Sequence, residues 1–267
     1  MIKQVFNYIV AATIVISTTL TSCIKEDEIR PNLKGKLVET IIYNGGSEYS
    51  KFEYDNHNRI TKYSKFTNEG TLLETNIVTY SGTELTKVDY KNLYPLSSIP
   101  YDKSYEFTKN GNIITVKSPY RSSNVYDKTR TSTLYVNNDG LPEKHVEEEE
   151  NYSIVINYQY HNRNCVKYTY TDTVEGKIWE ESYEYKYDDK KTPFYSCKTP
   201  KWFWIFRYSG GSALSQNNMI EEKNGNDLYP KDITKYEYVY DTDGYPTQCT
   251  ITHSDGQINV TEFQYKK

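Results

Sequence analysis

A polar turn recurs along this chain at a nearly constant interval, and that interval restricts what the chain can fold into. Tyr54-Asp55-Asn56-His57-Asn58-Arg59-Ile60 is the first instance. Tyr80-Ser81-Gly82-Thr83-Glu84-Leu85, Phe107-Thr108-Lys109-Asn110-Gly111-Asn112-Ile113 and Val136-Asn137-Asn138-Asp139-Gly140-Leu141-Pro142 follow. Then come Tyr160-His161-Asn162-Arg163-Asn164-Cys165, Tyr187-Asp188-Asp189-Lys190-Lys191 and Tyr240-Asp241-Thr242-Asp243-Gly244-Tyr245-Pro246. Their starts lie 26, 27, 29, 24, 27 and 53 residues apart, the last gap being close to two units. A period in this range marks a repeated supersecondary unit. Asn, Asp and Gly in the turns, flanked by Tyr, Thr, Val and Ile, make that unit a β-hairpin. A second set of turns falls between, at Asn44-Gly45-Gly46, Asn68-Glu69-Gly70 and Asp255-Gly256, so each strand with its turn takes half a period.

The strands carry a period-2 pattern. Tyr236, Tyr238 and Tyr240 share one face of their strand, as do Tyr152, Ile154, Ile156, Tyr158 and Tyr160 of theirs. Alternation of this kind turns the aromatic face inward and the Lys/Glu/Thr face outward. Composition agrees: hydrophobic content is only 36%, but there are 29 tyrosines, 8 phenylalanines and 3 tryptophans, so tyrosine must supply much of the core. No segment past Cys23 carries a sustained helical stripe. The expected fold is all-β, an antiparallel up-and-down β-meander of about 12–15 strands, closed or partly closed like a barrel and built from hairpin repeats.

Residues 192–219 break the rhythm. They hold Lys201-Trp202-Phe203-Trp204-Ile205-Phe206-Arg207-Tyr208, then Ser209-Gly210-Gly211-Ser212. Long excursions inside a regular scaffold are often functional. Trp202, Trp204, Phe206 and Tyr208 are therefore the candidate ligand-binding residues, for a glycan or protein. The competing reading is that these aromatics cover an open end of the core, and it is favoured because large aromatics dominate core burial. A second irregular stretch, Leu93 to Pro100, is proline-containing and reads as a loop.

The N-terminus sets the address. Lys3 precedes a mostly apolar run from Val5 to Leu20, and Leu20-Thr21-Ser22-Cys23 closes it. A positive start, an apolar middle and a small-residue cut site make a secretory signal. The run is too short for a confident membrane span, which needs roughly 20 apolar residues. The L-T-S-C tetrapeptide resembles the bacterial lipobox, which implies lipid on Cys23 and stable attachment to a membrane. The expected organisation is a signal peptide over 1–22, an acidic flexible tether over 23–35 and one β-repeat domain over 36–267. Within the tether, Lys25-Glu26-Asp27-Glu28 looks like the surface-export signal of Bacteroides-type lipoproteins. The expected location is the outer membrane, facing outside.

Chemistry is sparse. Net charge is −4, and −5 once Lys3 is lost with the leader, which argues against a nucleic-acid partner needing a basic field. His57, His145, His161 and His253 have no second ligand at metal-like spacing. Asp241-Thr242-Asp243-Gly244 lacks the acids that an EF-hand would need at Val239 and Thr250, and turn chemistry accounts for it. No metal, cofactor or catalytic residue is expected. Glu147 to Glu150 is a four-acid run that alternation would place partly in the core, so the strand is expected to end before it. Cys165, Cys197 and Cys249 allow one disulfide at most.

Taken with the lipobox, the turns carry a likeness. The Y-D-x-x-G form resembles, weakly, the Tyr-Asp repeats of large bacterial wall and toxin proteins. The hairpin repeat, Lys190-Lys191-Thr192-Pro193-Phe194 and Asp241-Thr242-Asp243-Gly244-Tyr245-Pro246 together resemble Bacteroides-type surface lipoproteins of a domain-of-unknown-function family with a porin-like fold. The resemblance implies a closed or partly closed meander and brings no catalytic residues. A lipid-facing wall would need a continuous apolar band about 25 Å tall, and a mean hydropathy of −0.81 is low for one. The expectation is therefore a non-catalytic surface protein that binds glycan or protein, with a structural or envelope-assembly role as the alternative. A hydrolase or a membrane-spanning pore carries less weight.

Overall fold

Five hairpin loops close with the same hydrogen bonds, and their chemistry explains the repeat. In Asp55–Arg59 the backbone N–H of Asp55 donates to the carbonyl of Arg59 (2.9 Å), and the Asp55 carboxylate accepts from the N–H groups of His57 and Arg59. Asn137 and Asp241 do the same in 137–141 and 241–245. Loops 67–71 and 253–257 share the backbone bonds. In each, the fourth residue takes a left-handed conformation, supplied by Asn58, Gly70, Gly140, Gly244 or Gly256. Asn162-Arg163 and Glu175-Gly176 instead form two-residue turns with positive φ at both positions.

The computed structural model describes residues 35–93, 101–122, 125–206, 214–225 and 232–266. The leader, Cys23 and nearly all of the tether lie outside the described residues, as do residues 207–213 and 94–100. Gly35 to Lys267 forms one compact unit. Its strands are β1 (Val38–Tyr43), β2 (Glu48–Tyr54), β3 (Ile60–Thr67), β4 (Leu72–Ser81), β5 (Glu84–Asn92), β6 (Tyr101–Asn110), β7 (Ile113–Ser122) and β8 (Val125–Val136). There follow β9 (Pro142–Glu149), β10 (Tyr152–His161), β11 (Asn164–Val174), β12 (Lys177–Lys191), β13 (Asn217–Asn224), β14 (Ile233–Tyr240), β15 (Pro246–Thr252) and β16 (Ile258–Tyr265). All neighbours pair antiparallel, and β1 pairs with β16, so the sheet closes as a barrel of sixteen strands. The meander expected from the repeat is the one that forms, one strand above the expected count. The excursion joins β12 to β13 without consuming a strand.

Register fixes which side chains face inward. Phe52 opposes Tyr63, Val78 opposes Val88, Tyr158 opposes Tyr168, and Tyr238 opposes Cys249. The first three pairs belong to, or pack against, one core cluster. The outer face is charged. Glu53 pairs with Lys62, Lys91 with Asp102, and Glu221 with Lys186, each across neighbouring strands. Some outward apolar residues stand among charges, as Ile77 does between its register partners Lys62 and Asp89, while Ile113 and Tyr135 oppose each other.

Two local expectations are corrected. Tyr187-Asp188-Asp189-Lys190-Lys191 is not a hairpin turn but the end of β12, which runs on to Lys191. The Asp188 carboxylate still accepts the N–H of Lys190 (2.9 Å), yet the fourth place holds Lys191, with no positive φ to reverse the chain. Asp188 instead ties β12 to the N–H of Asn218 and the hydroxyl of Tyr240. Nor does β9 stop before its acidic run: it continues to Glu149, with Glu147 turned inward. Arg130 of β8 makes that placement tolerable by pairing with both Glu147 and Glu149. Cys165, Cys197 and Cys249 are all free thiols.

Candidate functional site

The described parts of the excursion, 192–206 and 214–216, lie at the end formed by the 55–59, 137–141 and 241–245 loops. They are stitched to most of the wall. The Lys198 N–H donates to the Asn58 carbonyl (2.9 Å), and the Ile60 N–H donates to the Thr199 hydroxyl (2.7 Å). Phe194 meets Phe52 of β2, Trp202 meets Phe107 of β6, and Phe206 meets His145 of β9. The Ser215 hydroxyl accepts the Cys165 N–H of β11 (3.0 Å), and the Ser196 hydroxyl lies 2.6 Å from that of Tyr245. A 3₁₀ turn over Lys201–Phe206 carries the aromatics, so this segment is a plug across one end of the lumen.

The plug decides the fate of the residues proposed from sequence. Trp202 is 4% exposed and Trp204 2%, so neither offers a ring to a ligand at the surface. They pack among Phe107, Phe194 and Phe203, the arrangement of aromatics that cover an end of the core. Phe206 is half-buried and floors one of the clefts below. Tyr208 and the lipidation candidate Cys23 lie outside the described residues.

Two clefts are lined by inward-facing side chains, the second of them floored by Phe206 of the plug. The first, ≈ 440 Å³, is walled by Tyr168, Tyr170, Trp179, Tyr183 and Tyr185, with Glu181 and Glu222 as its acids. Burial raises the Glu222 carboxyl above its ordinary range, opposed by the charge of His253. The second, ≈ 350 Å³, is lined by Lys103, Tyr105, Arg130, Ser132, His145, Glu147 and neighbours. Here burial raises Glu147 too, against the pull of Arg130. Sequence reasoning passed over Trp179 and Glu181. The signal was present, since Trp179, Glu181, Tyr183 and Tyr185 alternate onto one face and put a carboxylate among the aromatics.

His145 and Ser132 resemble a base and nucleophile, with Nε2 2.9 Å from the hydroxyl. Burial holds the imidazole down to about 4, too weak a base for efficient proton abstraction near neutral pH. Its Nδ1 has no hydrogen-bond partner, so no third group orients the ring. Among the described residues, no three His, Cys, Asp or Glu side chains are grouped to hold a metal ion.

The fold is thus a closed antiparallel barrel of sixteen strands with a segment packed across one end. It is similar to a porin-like protein from Bacteroides uniformis, with 15% identity over 86% of this chain and 98% of that one, at a TM-score of 0.52. A porin-like protein from Bacteroides vulgatus gives 12% identity over 87% and 99%, at a TM-score of 0.46. At these identities the likeness is one of fold, and it rests on the first. No protein-family model matches the sequence, and neither does any curated protein.

Proposed function

We propose that this chain is a non-catalytic lipoprotein of the outer membrane, held at the cell surface by lipid on Cys23, that binds a small ligand in its lumen and conducts nothing. The carrying observation is the inverted polarity of the wall. A membrane-spanning barrel turns an apolar band to lipid and a polar face to its channel. This one turns ion pairs such as Glu53–Lys62 and Glu221–Lys186 outward and its tyrosines inward. Charged side chains in lipid cost about 2–4 kcal/mol each near the midplane, so an outer face of this kind belongs in water. The plug also crosses the path that a solute would take, and two clefts of ligand size remain.

The chain lacking residues 1–23 should stay in solution without detergent and give no conductance steps in planar bilayers. Detergent-dependent solubility or discrete conductance would overturn the reading. Cys23→Ala in cells should move the protein from the membrane fraction to the soluble one, and protease treatment of intact cells should shave the wild type.

A further inference from the structure

The two lumen clefts differ in charge. Lys103 and Arg130 line the smaller one, beside Glu147. The larger has no lysine or arginine among its described lining, only aromatic rings and the two carboxylates. Neither carboxylate forms an ion pair among the described residues, and the His253 imidazole is the one basic group acting on Glu222. Just behind the cleft, Asp172 is the register partner of Trp179, and its Oδ1 is buried without a hydrogen-bond partner. Three acids thus bear on one aromatic enclosure.

The rings are set at angles. Tyr170 meets Trp179 at 72° with centroids 5.8 Å apart, and Tyr168 meets Tyr183 at 55°. A flat, parallel platform would suit the face of a sugar ring. Angled walls instead surround a compact group, and the negative faces of aromatic rings attract positive charge. Trp179 is 45% exposed, so the rim of the enclosure is reachable.

We propose that this cleft takes an organic cation, an amine or quaternary ammonium whose charge sits among Tyr170, Trp179 and Tyr183 and is neutralised by Glu181 and Glu222. The assignment rests on the lumen reading above and names its ligand class. A neutral sugar would leave the carboxylates uncompensated, whereas an ammonium ligand satisfies rings and acids together. The second cleft, with Arg130 and Lys103 in its lining, serves as the internal control.

The test is calorimetric titration of the chain lacking residues 1–23 with choline and phenyltrimethylammonium. The neutral isostere 3,3-dimethyl-1-butanol and the disaccharide maltose are run beside them. The cations should bind, and the isostere should bind at least about tenfold more weakly, the scale of a desolvated cation–π contact. Trp179→Ala and Glu222→Gln should each weaken cation binding at least about tenfold with unchanged circular dichroism, while Glu147→Gln leaves it intact. Equal binding of cation and isostere, or no cation binding, overturns the proposal. Maltose binding that Trp179→Ala abolishes would overturn the cation while keeping the ligand-binding lumen. Conductance with no lumen ligand would overturn both.

Discussion

Thr199 holds the plug to the barrel by one interaction whose loss can be costed. Its hydroxyl accepts the N–H of Ile60 at 2.7 Å and lies 3.2 Å from the Tyr80 hydroxyl. Ile60 is 0% exposed, and Thr199 itself is buried. Thr199→Val keeps the volume and removes the acceptor. Tyr80 retains its bond to the Ile60 carbonyl, and the main loss is the Thr199 acceptor of the Ile60 N–H, beside the Cys197 thiol that both groups also meet. A buried donor left unpaired costs about 1–3 kcal/mol. For a domain of this size each kcal/mol shifts Tm by about 2–4 °C, so a drop of about 2–12 °C is expected. Urea and thermal unfolding read it, with Thr247→Val as reference, because the Thr247 hydroxyl is exposed where it meets the Val239 carbonyl. A Thr199→Val loss no larger than that of Thr247→Val would refute the plug as a structural part of the barrel.

Three other outcomes follow from buried titratable groups. Burial raises Glu222, so its protonated form favours the fold and stability is lost as pH rises through its folded value. Glu222→Gln should therefore be more stable than wild type at neutral pH, by a margin that vanishes in acid, measured as urea midpoints across pH. His145 is held down to about 4, so the unfolded chain binds its proton first, and this contribution to stability is lost between about 6.5 and 4. His145→Gln should lose less stability than wild type across that window in the same titration. Burial pushes the thiols of Cys165 and Cys249 up to about 12 and about 11, and raises Cys197 as well. A thiol reagent at pH 8 should label Cys165 and Cys249 only after denaturation, and fast native labelling of either would contradict their burial.

What the sequence made legible was local. Turn chemistry and alternation act within a few residues, so the hairpin repeat and the inward tyrosines could be read directly. Asp188 shows where that stops: it makes the loop's side-chain bond, but Lys191 cannot cheaply adopt the left-handed geometry that Asn58 or Gly140 supplies. The acidic run was misread because its compensating charge, Arg130, sits on the preceding strand and can be matched to Glu147 only once the register is known. The plug aromatics gave the same difficulty from the other side. Trp202 and Trp204 signalled burial or binding equally, and only their contacts with Phe107 and Phe194 separate the two. Trp179 stood on a regular strand, with no break in rhythm to draw the eye, although alternation placed it beside Glu181.

The pairing of β1 with β16 carries a consequence for how the chain is made. Val38 and Tyr265 are register partners in the first and last strands of the barrel, so the ring exists only when the last strand has arrived. Until then β1 and the newest strand both present raw hydrogen-bonding edges, the form in which sheets recruit other chains. Closing so long a loop also makes assembly intrinsically slow. A molecule threaded through a membrane from its N-terminus would thus remain an open, adhesive sheet for the whole of its passage. Loss of β16 alone, eight residues, would leave it in that state for good.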